Sequence, residues 1–172
     1  MKERLLLMTI RKMLLTSIFI LAGNLFADQP KTLHLAISDL TAQGVKESEA
    51  AVISEQLGAE LMKSPRIKLL ERNQVQEILK EQGFQQSGCV NDACAVEVGQ
   101  MLGVENIMVG TVGLAGSYTL LSVRVIDVAT GTIVANVSTK TKGGIDKMLE
   151  LGVEEAASKL NAALFPETGN KS

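Results

Sequence analysis

Two cysteines, Cys89 and Cys94, are the residues of this chain whose type and close spacing could support chemistry. In an exported protein such a pair is usually a structural disulfide, and closing so short a loop stabilises a fold by about 2 kcal/mol. The alternative is thiol–disulfide exchange, because a cysteine in the first turn of a helix gains thiolate character. The spacing is not Cys-x-x-Cys and no histidine is near in sequence, which favours the structural disulfide.

Few other residues could form a catalytic, metal or cofactor site. His34 is the single histidine, and no further His or Cys pair with zinc-type spacing accompanies it. Gly110, Gly113 and Gly116 are evenly spaced, but no Lys-Ser/Thr follows and a strand comes next, which argues against a phosphate loop. No Gly-x-Ser-x-Gly nucleophile elbow is present. We therefore expect no enzyme, no cofactor and no metal site.

The composition excludes further classes of function. The formal net charge is −2, and aromatic residues make up only 3% of the chain. A nearly balanced charge does not favour a surface for polyanions, and the scarcity of aromatic rings argues against base stacking. We therefore expect no nucleic acid partner, and a core built from Leu, Ile, Val and Ala.

The N-terminal region indicates export. Four Lys and Arg residues precede an apolar run over residues 13–25, and Leu25-Phe26-Ala27 resembles a signal-peptidase site. Residues 1–27 are therefore predicted to be a cleaved Sec-type signal peptide. An uncleaved membrane anchor is the alternative, although the run is short for a span of about 20 apolar residues. Asn24 stands where a lipoprotein would carry its lipidated cysteine, so no lipid is expected there.

Hydrophobic periodicity predicts the elements that must position these residues. Alternation of apolar and polar residues predicts strands, at 32–40, 66–71 and about 106–112, 118–127 and 132–140. Helical stripes and capping residues predict helices, at 46–63, from an Asn73 cap to Gly83, at 93–102 after an Asp92 cap, and from an Asp146 cap to about 164. The segment 41–44 is predicted to be a loop.

The predicted order is β-α-β-α-α-β-β-β-α, which favours a mixed sheet with helices packed on it. We assign the chain to the α/β (α+β) class, with one domain over residues 28–166 and a disordered tail at 167–172. In the last strands one face is apolar and the other is mixed, which is typical of a sheet covered mainly on one side.

Several short segments of this chain resemble one family of bacterial envelope proteins, the CsgG-type family. The matching segments are RIKLLER at 66–72, QVQEILKEQGF at 74–84, SGC at 87–89, CAVEVG at 94–99, LGVENIMVGTVG at 102–113, and VRVIDV at 123–128 with Thr130-Gly131. The resemblance extends over residues 32–164. Related modules occur at the N-terminus of TolB-like proteins and in lipoprotein activators of peptidoglycan synthases.

The resemblance implies a periplasmic α/β domain that works by protein contact in cell-envelope assembly or secretion, often at the outer membrane and as a homo-oligomer. The curli secretion channel of this family is lipidated and inserts long hairpins into the membrane. Here Asn24 replaces the lipidated cysteine. The connections around Gly44, Gly116 and Gly131 are too short for strands of about 9–11 membrane-spanning residues. We therefore expect a non-enzymatic protein that forms no pore.

Two surfaces are candidates for contact with unidentified envelope proteins. One is the outward sheet face that carries Arg124, together with Ser122, Asn136 and Ser138. The other is the strand edge around Arg66, Lys68 and Arg72, which could pair with a neighbouring copy or with a partner strand. The expected location is the periplasm, peripheral to the outer membrane and without a lipid anchor. The alternative function is a small periplasmic thiol–disulfide enzyme that uses Cys89 and Cys94.

Overall fold

The computed structural model describes residues 32–83 and 91–166. All of these residues belong to one compact unit that begins at Thr32. The predicted signal peptide, the cysteine at position 89 and the predicted C-terminal tail lie outside the described residues, so these predictions stay open.

The described residues form one mixed sheet of six strands in the order β3-β1-β4-β5-β6, with β2 pairing β4 beside this path. The strands are β1 (Leu33–Ile37), β2 (Thr41–Gln43), β3 (Ile67–Leu69), β4 (Asn106–Ala115), β5 (Tyr118–Asp127) and β6 (Ile133–Lys142). The pairs β1–β3, β1–β4 and β2–β4 are parallel, whereas β4, β5 and β6 form an antiparallel meander. The predicted mixed sheet is confirmed.

Strand β2 was not predicted, and the assignment of residues 41–44 to a loop is wrong for its first three residues. After a break at 38–40 the chain resumes alongside β4, where Ala42 pairs with Val112. Gly113 allows this approach, because a Cβ atom there would lie 2.9 Å from the carbonyl oxygen of Gln43. A three-residue strand shows no alternation in sequence, since its conformation is set by pairing with β4.

The helices are α1 (Glu47–Leu61), α2 (Arg72–Glu81), α3 (Asp92–Leu102), α4 (Ile145–Lys147) and α5 (Val153–Leu164), and a π-helical turn, Met148–Gly152, joins the last two. Gly83 and Gly103 follow α2 and α3 with φ angles of 68° and 64°, as predicted for residues that end helices. The N-cap predicted for α2 differs from the observed one. The residue that precedes the helix is Glu71, and Asn73 lies inside it.

Helices cover both faces of the sheet, so the expectation of cover mainly on one side is only partly right. On one face α1 and α5 bury a first core that includes Leu35, Leu57 and Leu160. On the other face α2 and α3 bury a second core that includes Ala36, Val98 and Ile126. The second core ends at β5, and beyond it the even-numbered residues of β6 are exposed.

Candidate functional site

Cys94 lies in the first turn of α3, as the sequence predicts. The side-chain oxygen of Asn91 accepts a 2.8 Å hydrogen bond from the backbone N–H of Cys94, so Asn91 is the N-cap and the predicted Asp92 cap is wrong by one residue. Cys94 is half-buried and packs against the second core. Because Cys89 lies outside the described residues, the disulfide and the alternative redox role both remain predictions.

Asp92 is free of the capping role and pairs with a predicted contact residue on β5. The Nε atom of Arg124 donates to Oδ1 of Asp92 at 2.6 Å. The Arg124 side chain keeps 26% of its surface exposed, and that of Asp92 keeps 45%. Arg124 therefore joins the start of α3 to the sheet, and its role in protein contact stays a prediction.

The three basic residues of the predicted edge lie before, within and after β3. The guanidinium carbon of Arg66 lies 3.9 Å from the ring centroid of Phe165, a distance typical of a cation–π contact. Lys68 is exposed and pairs with the exposed His34 of β1. Arg72 is the first residue of α2. Since β1 and β4 lie between β3 and β5, Arg124 belongs to a different surface from these three residues.

The outward sheet face continues further along β6 than the sequence analysis recognised. The hydroxyl oxygens of Ser122 and Ser138 lie 2.9 Å apart, and Asn136 pairs with Arg124 across the strands. Lys140 and Lys142 extend the same row and are exposed. The alternation of β6 could have identified them, because they follow Asn136 and Ser138 at intervals of two residues. We call the residues Ser122, Asn136, Ser138, Lys140 and Lys142 the β6 face.

A cavity of about 530 Å³, not recognised from the sequence, opens between α1 and α2 at the carboxyl ends of β1 and β3. Open α/β sheets bind ligands at this end of their parallel strands. Three carboxylates contribute to its wall, from Asp39, Glu55 and Glu71, beside the apolar side chains of Ile37 and Leu69. Among the described residues no group of three His, Cys, Asp or Glu side chains is placed to hold a metal ion.

Within the described ranges, no helix is both long and apolar enough to cross a membrane.

Comparison with known proteins gives a family match and a set of structures with the same fold. The family model of the curli production assembly/transport component CsgG matches residues 31–114, which include the parallel part of the sheet and nearly all of β4. No match was found among curated protein sequences.

Solved structures share the fold at low identity. The LpoB C-terminal domain from Salmonella enterica has a TM-score of 0.54 and 17% identity, over 70% of this chain and 91% of that chain. Lipoprotein GNA1162 from Neisseria meningitidis has a TM-score of 0.55 and 15% identity, over 77% and 99%. The PelC dodecamer from Paraburkholderia phytofirmans has a TM-score of 0.50 and 11% identity, over 80% and 91%. At such identities the likeness concerns the fold, whereas the family match concerns the sequence. The resemblance seen in the sequence is thus confirmed: this chain is similar to the CsgG family over residues 31–114.

Proposed function

We propose that this protein is exported to the periplasm and acts in cell-envelope assembly or secretion by binding other proteins, without catalysis and without forming a pore. The observation that carries the proposal is the CsgG family match over residues 31–114. The fold shared with LpoB and with the lipoprotein GNA1162 supports the same cellular role. The charged segment and apolar run at the N-terminus support export.

The short connections of the meander support the part of the proposal that concerns the pore. Strands β4 and β5 are joined by Gly116 and Ser117, and the turn after β5 begins at Val128 and ends at Thr132. Gly116 has a φ of 61° and Gly131 a φ of 69°, which suits tight turns in which glycine adopts positive φ. A membrane-spanning hairpin needs two strands of about 9–11 residues beyond the domain, and neither turn contains them.

A protein that acts without catalysis and without a pore acts through its contact surfaces, and the proposal includes both predicted surfaces. The first is the β6 face together with Arg124. The second is the edge around Arg66, Lys68 and Arg72, which would serve contacts with a neighbouring copy. The PelC fold relative is a dodecamer, which makes assembly into homo-oligomers a reasonable part of the proposal.

A thiol–disulfide enzyme is the second candidate function, because Cys94 lies at the N-terminal end of α3, where a thiolate is favoured. Mild dithiothreitol distinguishes the two candidates. A structural disulfide resists this treatment, whereas a catalytic pair is reduced readily. Turnover of a disulfide substrate by the purified protein, lost in a Cys94→Ser variant, would replace the first proposal by the second.

The main experiment determines where the protein is located, which proteins it contacts and whether it permeabilises membranes. The mature chain isolated from the envelope should begin at Asp28, and chemical crosslinking in intact cells should give specific adducts with envelope proteins. The purified protein should leave dye-loaded liposomes intact. Dye release without dissolution of the bilayer would contradict the absence of a pore. An intact N-terminus that needs detergent for extraction would instead favour the membrane anchor.

A further inference from the structure

Strand β6 is the outer strand of the meander, and on its outer side no strand of the described residues pairs with it. It has ten residues, Ile133–Lys142, whereas β3 at the opposite edge has three. A long open edge presents a row of unpaired backbone N–H and C=O groups, which can pair with another chain. Because β6 is longer than β3, it offers more backbone groups for pairing with another chain.

One hydrogen bond fixes which residues of β6 direct their backbone groups outward. The N–H of Gly143 donates to the carbonyl oxygen of Ser117 at 2.9 Å, so position 143 faces β5. Bonded and non-bonded pairs alternate along an antiparallel ladder, and the register is regular from Tyr118–Lys142 to Val125–Ala135. The even-numbered residues therefore direct their backbone groups away from β5. They are Asn136, Ser138, Lys140 and Lys142.

The side chains of these same residues lie on the exposed side of the sheet. Asn136, Ser138, Lys140 and Lys142 are all exposed, whereas the intervening residues are buried beneath the C-terminal helical segments. Thr139 even donates a hydrogen bond to the carbonyl oxygen of Gly152 on the covered side. A strand added to β6 would therefore meet unpaired backbone groups at the edge and a polar, basic row on the open face.

The charges along β6 determine which kind of strand fits. Lys140 lies 5.8 Å from the ring centroid of Tyr118, and Lys142 pairs with Tyr118 in the register, so both lysines lie at one end of the edge. Like charges directly opposite each other destabilise a strand pair, and opposite charges stabilise it. The other open edge, β3, carries the exposed Lys68, so pairing of the lysine-bearing end of β6 with the β3 of a second copy would bring lysines together.

We propose that β6 binds an extended, acidic segment of a partner protein, which adds a seventh strand to the sheet. Backbone hydrogen bonds to the even-numbered residues supply the pairing, and carboxylates on the segment lie opposite Lys140 and Lys142. Edge lysines ordinarily protect a sheet against indiscriminate pairing, and here they restrict pairing to acidic strands. This inference rests on the proposed function and names the surface and the class of partner.

The test uses the full chain in its own cells, with a photo-crosslinking amino acid placed at Asn136 or, as a control on the covered side, at the exposed Ser158 of α5. We expect an adduct from position 136 and none of the same size from position 158. Mass spectrometry of the adduct should identify a captured segment rich in Asp and Glu. An adduct with a second copy of this chain, or the absence of any adduct at position 136, would overturn the inference.

Two variants test the two sources of affinity separately. Ser138→Pro removes one outward N–H while leaving the ladder to β5 intact, a position where an edge strand tolerates proline. Lys140→Glu with Lys142→Glu reverses the charge. Each should reduce the adduct at least about tenfold, which corresponds to about 1.4 kcal/mol. The control Lys63→Glu with Lys159→Glu changes the net charge equally at exposed positions just after α1 and within α5, and it should leave the adduct unchanged.

A segment identified by the adduct permits a direct measurement. A synthetic peptide of that sequence should slow hydrogen exchange at the amides of Ser138 and Lys140 but not at the already paired Thr139. Persistence of the adduct in both variants would overturn the inference, as would uniform exchange protection. If adducts form from position 68 but not from position 136, the proposed contact function stands and the β6 inference fails.

Discussion

Asp92 and Arg124 join the start of α3 to the middle of the sheet through a 2.6 Å contact between Oδ1 and Nε. The two residues are far apart in sequence, and Asp92 also has a local role. Asp92 supplies a negative charge in the first turn of α3, where the helix dipole favours it. Arg124 spans from β5 to reach it, so this contact fixes the segment that carries Cys94.

We expect the ion pair to contribute modestly to stability. Asp92→Asn and Arg124→Gln should each lower the free energy of unfolding, and the coupling energy from the double-mutant cycle should be about 0.5–1 kcal/mol, as for partly exposed pairs. Urea denaturation of the four proteins measures this coupling. Additive losses would show that the two side chains do not interact in solution.

The assignment of the N-cap to Asn91 is directly testable. Asn91→Ala removes the acceptor for the Cys94 N–H, so it should lower the free energy of unfolding by about 1 kcal/mol. Asn91→Asp retains a capping oxygen and should be nearly neutral. If Asn91→Ala and Asn91→Asp unfold at the same urea concentration, the cap assignment is wrong.

Two threonines on the covered side of β6 should respond in opposite directions to the same substitution. Thr139 Oγ1 donates to the Gly152 carbonyl oxygen at 3.2 Å, whereas Thr141 Oγ1 is buried without a hydrogen-bond partner. Thr139→Val removes this hydrogen bond and should destabilise the protein by about 0.5–1.5 kcal/mol. Thr141→Val removes an unsatisfied hydroxyl and should stabilise it by up to about 1 kcal/mol. Thermal unfolding of the two variants gives the sign of each effect.

Gly110 lies where β4, β5 and the segment before β2 approach closely. A Cβ atom there would collide with the carbonyl oxygen of Ser122 and would lie 2.9 Å from a methyl group of Leu40. Gly110→Ala should therefore destabilise the fold by about 2–3 kcal/mol through overpacking. Gly144→Ala is the matched control, because no heavy atom lies within 4 Å of its added methyl group. Equal stability of the two variants would contradict this packing.

The predicted Cys89–Cys94 disulfide is tested on protein taken from the periplasm. The mature chain should be lighter by two hydrogen atoms under non-reducing conditions than after reduction. Replacing both cysteines by serine should lower the free energy of unfolding by about 2 kcal/mol without changing the fold, since a short loop is released. Free thiols in the isolated protein would contradict the disulfide.

The sequence predicts the elements with strong periodicity and misses those determined by tertiary contact. Strands β5 and β6 were predicted from their alternation, and Gly83 and Gly103 from the positive φ that favours glycine. β2 was missed because its conformation depends on β4. The sequence does not distinguish Asn91 from Asp92 as the cap, because both residue types are good N-caps. The structure distinguishes them, since Asn91 accepts from the Cys94 N–H and Asp92 pairs with Arg124.

The C-terminal helical segments show the same limit. A stripe with α-helical spacing predicts Leu149 four residues before Val153, but the structure fully buries Met148, which lies five residues before it. The π-helical turn accounts for this spacing. A side chain at Gly152 would collide with Met148, so the turn depends on packing that periodicity does not record.

Of the predicted contact residues, the structure separates Arg124 from the β3 edge, and it adds Lys140 and Lys142 beside Ser138.

The position of β4 has a consequence for the order in which the chain folds. β4 pairs with β5 across a two-residue turn, but it pairs with β1 only after residues 38–105 have been traversed. Contacts between residues distant in sequence form slowly, because their loop-closure entropy must be overcome first. The meander can therefore form early and present the edge of β4 as a template. β1, β2 and β3 then join in register, so the half of the sheet made first along the chain is completed last.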